Sequence, residues 1–200
     1  MVSPRVILIS ATEIVPEAAL TARIRAVAGM PARAGSRLAV MLRDPELSGR
    51  ALLRLGGELR AATRAVGASL FVNDRLDLAL ALAADGVHLG RRSVTVRDAR
   101  ALIGPSAFVS RACHSVDDVI QAAGEGASAV VLSPIFASPG KGPPLGVSAL
   151  AEARTTLDSR GHSAVLLVAL GGVDAANAPA CFSAGAGAVA AIRGDLSAVL

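Results

Sequence analysis

Short apolar runs alternate with helical patterns along this chain, and this alternation restricts the fold more than any other feature. Runs rich in Val, Ile, Leu and Ala recur eight times, at 5–12, 36–44, 68–74, 86–91, 107–114, 127–136, 164–172 and 186–194. Continuous apolar runs of this length are typical of parallel strands covered on both faces. The pattern therefore predicts a parallel sheet with helices packed outside it.

Helix signals occupy the intervals between these runs. The segment 49–67 repeats Leu and Ala at three- to four-residue spacing and stops at Gly67, a residue that commonly terminates helices. Pro16 suits the first turn of a helix over 16–30. Ser115 is a good cap, and Asp117 and Asp118 follow it in the first turn. These patterns predict a helix after each strand.

Eight strand–helix units predict an α/β fold, a compact (β/α)8 TIM barrel that forms one domain over residues 1–200. Only "DLSAVL" follows the last strand, so the eighth helix is expected to be truncated. A doubly wound open sheet is the alternative. The count of eight and the position of the polar residues at strand ends favour the barrel.

Composition narrows the class of partner. Aromatic residues are 2% of the chain, too few for stacking platforms that bind single-stranded nucleic acid. The net charge of +4 comes from scattered arginines, which suit small anions. No apolar run reaches the roughly 18 residues of a membrane helix. We expect small anions as partners, no nucleic acid and no membrane; a homodimer stays open.

Cysteine usage and the first residues of the chain bear on the compartment. Cys113 and Cys181 lie far apart, so a disulfide framework is not expected and a reduced compartment is the default. No basic segment followed by an apolar one stands near Met1, so secretion is not indicated. We expect a cytoplasmic protein, with Cys113 as a packed thiol.

Polar side chains stand at the carboxyl ends of the predicted strands, where TIM barrels place their chemistry. Arg43 follows the second strand, Asn73 and Asp74 the third, and His114 the fifth. Lys141 lies in a Gly/Pro-rich loop after the sixth strand, of the kind that closes over a substrate. These side chains are expected to meet at one rim.

Two further sequence features indicate a phosphate and a metal. Gly171 and Gly172 lie between a strand and a helix, where backbone N–H groups can approach an anion, and the loops after strands seven and eight are the recurring phosphate site of this fold. Asn73 and Asp74 are either Mg²⁺ ligands or caps of the next helix, and the sequence leaves both open.

His88 alternates with apolar neighbours and is expected to be a buried structural histidine.

Four stretches together resemble the thiamin phosphate synthase family and its thiazole tautomerase branch. They are "MLRD", "LFVNDRLDLALALAADGVHLGRR", "SRACHSVDDVIQAAGEGASAVVLSPIFASPGK" and "VALGGVDAANAPACFSAGAGAVAAI". The resemblance implies a barrel enzyme of thiamin biosynthesis that couples hydroxymethylpyrimidine diphosphate to thiazole phosphate and releases pyrophosphate. Electrostatic stabilisation of the leaving diphosphate, with Mg²⁺ as cofactor, is the chemistry that it implies.

The resemblance also implies roles for individual residues. The implied catalytic residues are Arg43 and Lys141, and Asp74 is the implied metal ligand. His114 is a further catalytic candidate from its place at the end of the fifth strand, where it either reaches the substrate or only precedes the cap at Ser115. The implied substrate- and phosphate-binding residues are Asn73, Ser138, Gly171, Gly172, Ile192 and Arg193.

Several positions depart from the family pattern. The arginine motif of the synthases reads Gln-x-Arg-x-Lys, whereas this chain has Met41 and Pro45 beside Arg43. Ser93 stands where a second aspartate ligand is usual, and Arg91 and Arg92 could replace the missing lysine. Further replaced contacts are Ala112 and Gly140.

Two alternative functions therefore stay open at this point. One is a thiazole phosphate tautomerase, although Pro134 occupies the position of that branch's acid/base histidine and His114 would have to replace it. The other is a non-catalytic, phosphate-ligand-binding barrel with a regulatory role.

Overall fold

The computed structural model describes residues 3–30 and 34–200, and these form a closed parallel barrel. Each strand pairs with its neighbours in sequence, and β8 pairs with β1. The strands are β1 (Val6–Ile9), β2 (Leu38–Leu42), β3 (Ser69–Asn73), β4 (Gly86–Leu89), β5 (Phe108–Cys113), β6 (Ala129–Leu132), β7 (Leu166–Leu170) and β8 (Ala188–Ala191). Closure between β1 and β8 confirms the TIM barrel and excludes the open sheet.

Helices surround the barrel in sequence order. They are α1 (Glu17–Ala26), α2 (Gly49–Val66), α3 (Leu76–Ala81), α4 (Val96–Ile103), α5 (Val116–Gly124), α6 (Gly146–Ser159) and α7 (Ala178–Ser183). After β8 the described chain forms a 3-10 turn, Ser197–Val199. The helix predicted over 16–30 is shorter than expected, because α1 passes into a 3-10 turn at Val27–Gly29.

The helix signals operate as predicted at two positions. Gly67 ends α2 with φ +71°, a left-handed conformation that glycine adopts without steric cost. The Ser115 hydroxyl accepts a hydrogen bond from the N–H of Asp118 at 3.1 Å and thereby caps α5. Both signals are local, which is why the sequence was sufficient to predict them.

Alternation along each strand divides the side chains between two cores. The outer core lies between the strands and the helices, and the inner core fills the barrel itself. The inner core consists of Ile7, Ile9, Ala39, Met41, Phe71, Ala129, Val131, Val168, Ala188 and Ala190. Phe71 stacks on Phe108 with a centroid distance of 4.8 Å. Because the interior is packed, a ligand has access only to the rims of the barrel.

Both cysteines are buried and unpaired. Burial raises the pKa of Cys113 to about 12, so its thiol stays protonated and unreactive near neutral pH. This confirms the expectation of a packed thiol at Cys113.

Among the described residues, no helix combines the length and the apolar character that a membrane crossing requires.

Candidate active site

Hydrogen bonds between neighbouring loops join the carboxyl ends of the strands into a continuous rim. The Asp74 N–H donates to the carbonyl of His88 at 2.8 Å and links the ends of β3 and β4. The Ile135 N–H donates to the Leu170 carbonyl at 2.9 Å and links β6 to β7. The loop residues therefore take their positions from the barrel register, so side chains distant in sequence share one rim.

A buried carboxylate joins the loop after β1 to the end of β2. Asp44 is 6% exposed, and it accepts hydrogen bonds from the Ser10 hydroxyl, from the Thr12 N–H and, at 2.8 Å, from the Thr12 hydroxyl. Ser10 Oγ in turn accepts from the Arg43 N–H at 2.8 Å. The Arg43 backbone is thus held in place, while its side chain is exposed at the rim.

Asp74 lies against a tight turn at the end of β4. Its Oδ1 accepts hydrogen bonds from the Gly90 N–H at 2.8 Å and from the Ser93 hydroxyl. Its Oδ2 accepts from the Asn73 side-chain amide at 2.9 Å. No side chain caps α3, whose N-cap residue is Arg75. The cap interpretation of Asn73 and Asp74 is therefore wrong, and both side chains remain at the rim.

His88 is a buried histidine inside the barrel, as the sequence predicted. Its Nδ1 lies 2.9 Å from Ser110 Oγ, and the Ser110 hydroxyl lies 3.3 Å from the Val87 carbonyl, to which it donates. Burial lowers the pKa of His88 to about 4; the negative charge of Asp74 opposes this shift, and the positive charges of Arg43 and Arg111 add to it. The imidazole is therefore neutral at pH 7.

His114, the residue after β5, is oriented by a hydrogen bond between its imidazole and a main-chain carbonyl in the loop after β6. Its Nδ1 lies 2.8 Å from the Ser133 carbonyl oxygen, which can only accept, so Nδ1 carries the proton. In the neutral ring this leaves Nε2 as an acceptor. The His114 N–H also donates to Asp118 at 2.8 Å, and the residue is exposed at the rim.

The loops after β7 and β8 place several backbone N–H groups together. Gly171 and Gly172 have φ values of +97° and +63°, and a Cβ on Gly172 would lie 2.6 Å from the Ala137 carbonyl oxygen. A Cβ on Gly194 would lie 2.6 Å from the Val173 carbonyl oxygen, so the two loops are in close contact. Within the described residues, no backbone hydrogen bond uses the N–H groups of Gly171, Gly172, Ile192 or Arg193. Free N–H groups in such loops suit a phosphate.

Exposed cations surround this rim. Arg43 and Lys141 are exposed, and no side-chain hydrogen bond or ion pair engages either of them within the described part of the chain. Lys141 and Ser138 share one turn, in which the Lys141 N–H donates to the Ser138 carbonyl at 3.2 Å. A paired arginine makes the contrast clear: Arg60 of α2 holds Asp85 at 2.7 Å, and its side chain is only 12% exposed. The rim cations are free to meet an anion.

Two cavities lie away from this rim. One of about 640 Å³ is an open groove between α1 and α2, lined by residues such as Glu17, Arg25 and Glu58. The other, of about 200 Å³, lies under α1 beside the 3-10 turn after β8. Neither cavity includes a strand-end residue of the predicted site, so they do not compete with the rim as a site for barrel chemistry.

Comparison with known proteins identifies the family. The family model described as thiamine monophosphate synthase matches residues 7–194. The chain is 41% identical to the thiamine-phosphate synthase of Methanoculleus marisnigri over 84% of its own length and 80% of that protein's. It is 38% identical to the enzyme of Roseiflexus castenholzii over 82% and 71% of the two chains. The chain belongs to the thiamine monophosphate synthase family.

A solved structure of a family member has the same fold. The thiamine phosphate pyrophosphorylase from Pyrococcus furiosus superimposes with a TM-score of 0.79 and covers 97% of this chain, with 89% of that structure matched. The two sequences are 24% identical, so this likeness concerns the fold. It agrees with the closed barrel described above.

The departures of this chain from the family pattern have structural counterparts. Met41 is 2% exposed and belongs to the inner core, so an apolar contact replaces a polar glutamine there. Ser93 donates its hydroxyl hydrogen to Asp74 where the family pattern has a second carboxylate. Pro134 is buried at the end of β6 and offers no titratable group.

The residues at the rim fit a magnesium ion that also binds substrate. Within the described ranges, no three His, Cys, Asp or Glu side chains cluster closely enough to enclose a metal by themselves. Asp74 is exposed, and its carboxylate retains acceptor capacity beyond its three hydrogen bonds. Mg²⁺ usually keeps several waters and binds through one or two carboxylates plus substrate phosphates. The exposed Asp74 carboxylate, with exposed cations and free backbone N–H groups on the same rim, fits this mode of binding.

Sequence reasoning missed the polar network beneath this rim. The strand-end residues named from the sequence do not include Ser10 or Thr12, and Asp44 occurs only within the "MLRD" stretch. The available signal was three polar side chains at the ends of two adjacent strands. Ser93 stands where the family pattern has a second aspartate, and its hydroxyl donates to the Asp74 carboxylate, a contact that the sequence did not indicate.

Proposed function

We propose that this chain is a thiamin phosphate synthase, which couples hydroxymethylpyrimidine diphosphate to thiazole phosphate and releases pyrophosphate. The observation that carries the proposal is the match to thiamine-phosphate synthases over most of the chain, at 41% identity to the Methanoculleus marisnigri enzyme. The rim chemistry supports it independently, because exposed cations and free backbone N–H groups lie where two phosphorylated substrates would have to bind.

The reaction breaks the bond between the pyrimidine methylene carbon and the diphosphate oxygen. The electron pair leaves with the diphosphate, and the resulting pyrimidine methyl cation is captured by the lone pair of the thiazole nitrogen. The barrier is set by charge developing on the leaving group, so fixed positive charge at that point lowers it. In this chain, Arg43 and Lys141 are proposed to supply that charge, with Asn73 and Ser138 as polar contacts.

Asp74 would hold Mg²⁺, which neutralises diphosphate charge when bound. Asp74 is itself oriented by Gly90 and Ser93. The backbone N–H groups of Gly171, Gly172, Ile192 and Arg193 are proposed to bind the phosphate of the thiazole. His114 would present Nε2 to the bound substrates as a hydrogen-bond acceptor.

No feature of the described residues favours the two alternatives over the synthase. The tautomerase has no acid/base group at the position of Pro134, which is buried, and would depend on His114 instead. A non-catalytic, phosphate-binding barrel would use the same exposed cations, so the rim does not separate it from the synthase. The relatives carry the synthase name, and this favours the enzyme. The synthase is therefore the function that the observations support best.

The decisive experiment is an assay of the purified chain with both precursors. Mass spectrometry should detect thiamin phosphate and pyrophosphate in Mg²⁺ buffer, and much less of either product in EDTA. Lys141→Ala and Asp74→Ala should each lower turnover steeply, whereas Arg64→Ala, an exposed cation in the last turn of α2, should not. Absence of product under all conditions would refute the proposal.

Two expectations from the sequence stay predictions. Cell fractionation would test the cytoplasmic location. Light scattering of the purified chain would test for a homodimer.

A further inference from the structure

The turn after β4 carries two adjacent arginines at its tip. The Ser93 N–H donates to the Gly90 carbonyl at 3.1 Å, which closes a four-residue turn with Arg91 and Arg92 at its central positions. Both arginines are exposed. No hydrogen bond or ion pair engages either side chain within the part of the chain that the structure describes.

The base of this turn rests on the proposed metal ligand. Asp74 Oδ1 accepts from both ends of the turn, the Gly90 N–H and the Ser93 hydroxyl. A Cβ on Gly90 would lie 3.3 Å from Asp74 Oδ2, so the turn has almost no clearance above the carboxylate. Arg91 and Arg92 therefore lie in sequence between the two residues that contact Asp74.

A third arginine secures the turn from its other side. Arg111 on β5 donates to the Val94 carbonyl at 2.9 Å and to the Arg91 carbonyl at 3.5 Å. Asp74 and Arg111 thus hold the turn between them, and its tip projects from an anchored base. An anchored tip loses less conformational freedom when it binds an anion than a mobile loop does.

Charge at this part of the rim favours a polyanion. Asp74 contributes one negative charge, and Ser93 contributes none where a second carboxylate would have contributed another. Arg91 and Arg92 contribute two positive charges, in groups whose planar donors match phosphate oxygens. This part of the rim has fewer carboxylates to hold a metal and more cations. Direct pairing of the arginines with a phosphate therefore neutralises the phosphate charge more strongly here than a bound metal does.

We propose that Arg91 and Arg92 form a diphosphate clamp above Asp74, which binds the diphosphate directly and leaves this chain less dependent on Mg²⁺ for that binding. The inference rests on the proposed function for the identity of the natural ligand. It concerns the affinity for the diphosphate group, which is measurable without turnover.

Isothermal titration calorimetry with inorganic pyrophosphate tests the clamp directly. The full chain should bind pyrophosphate in EDTA, and the Arg91→Ala/Arg92→Ala double variant should bind at least about tenfold more weakly, as expected for losing charge-assisted hydrogen bonds. Arg97→Ala is the matched control, since Arg97 is an exposed arginine on the next helix, α4. It should bind pyrophosphate within about twofold of the wild type, because a surface charge away from the ligand contributes little.

A charge-conserving variant separates geometry from charge. Arg91→Lys/Arg92→Lys keeps both charges and loses the planar fork, so its affinity should lie between those of the wild type and the double alanine variant. All variants should unfold at the wild-type temperature, because neither side chain is buried or paired. Adding Mg²⁺ should improve pyrophosphate binding of the alanine double variant more than that of the wild type.

Equal pyrophosphate affinity of the double alanine variant and Arg97→Ala would overturn the clamp, as would absence of binding by the wild type in EDTA. The proposed function has a separate readout. Thiamin phosphate formation without arginine-dependent pyrophosphate binding would leave the synthase standing and remove the clamp. Arginine-dependent pyrophosphate binding without formation of thiamin phosphate would support the clamp and refute the synthase.

Discussion

Replacement of Asp44 by Asn tests whether the network beneath the rim supports both stability and function. The carboxylate is 6% exposed and accepts from the Ser10 hydroxyl, the Thr12 N–H and the Thr12 hydroxyl. Asn retains one acceptor oxygen and puts an N–H₂ group in the place of the other. One donor of the network then loses its acceptor inside the protein.

The expected loss of stability follows from that count. One hydrogen bond to a charged group contributes about 1.5–3 kcal/mol. For a chain of this size, 1 kcal/mol corresponds to roughly 2–4 °C, so Asp44→Asn should lower the melting temperature by about 3–12 °C. Urea denaturation of the variant and of the wild type measures the same loss as a free energy of unfolding. Glu46→Gln is the control, because Glu46 is an exposed carboxylate in the same loop.

The functional consequence comes through Arg43. Its N–H donates to Ser10 Oγ at 2.8 Å, so a displaced Ser10 shifts the backbone that carries the arginine. We expect KM for the pyrimidine diphosphate to rise at a temperature where the variant is fully folded, and Asp44→Glu to restore part of the affinity. If Asp44→Asn unfolded within about 0.5 kcal/mol of Glu46→Gln and kept its KM, the reasoning would be refuted.

Three further predictions concern the buried His88 and two parts of the rim. The pKa of His88 is lowered to about 4 from 6.5, so between these pH values the unfolded chain binds a proton that the folded chain does not. The free energy of unfolding should therefore be highest above about pH 6.5 and fall by up to ~3 kcal/mol toward pH 4. Denaturant titrations at pH 7 and 4.5 should show this loss in the wild type and a smaller one in His88→Gln; equal losses would contradict it. Ser93→Asp should add a carboxylate beside Asp74 and increase the stabilisation that Mg²⁺ provides in thermal unfolding; an unchanged Mg²⁺ response would count against Asp74 as a metal ligand. Gly172→Ala should destabilise the fold and weaken binding of the thiazole phosphate, because φ is +63° and a Cβ would lie 2.6 Å from the Ala137 carbonyl oxygen; unchanged melting and binding would show that the turn relaxes without cost.

The barrel was predictable because its determinants are local. Eight apolar runs interrupted by Gly, Pro or charge report burial segment by segment, and Gly67 and Ser115 mark a helix end and a helix start within a few residues. Parallel closure then places every strand end at one rim, so Arg43, Asp74 and the Gly171–Gly172 turn could be assigned to a common edge from topology alone.

Side-chain partners within that rim were decided by tertiary structure. Ser10 and Asp44 are 34 residues apart, and Asp74 and Ser93 are 19 apart. The sequence places these polar residues at strand ends but does not show which of them pair. The sequence left Asp74 equally suited to cap α3 or to serve the rim. The register between β3 and β4 decided it by bringing Gly90 and Ser93 to the carboxylate. Local patterns determine which segments are buried, whereas a hydrogen bond forms only after barrel closure brings its two groups to within about 3 Å of each other.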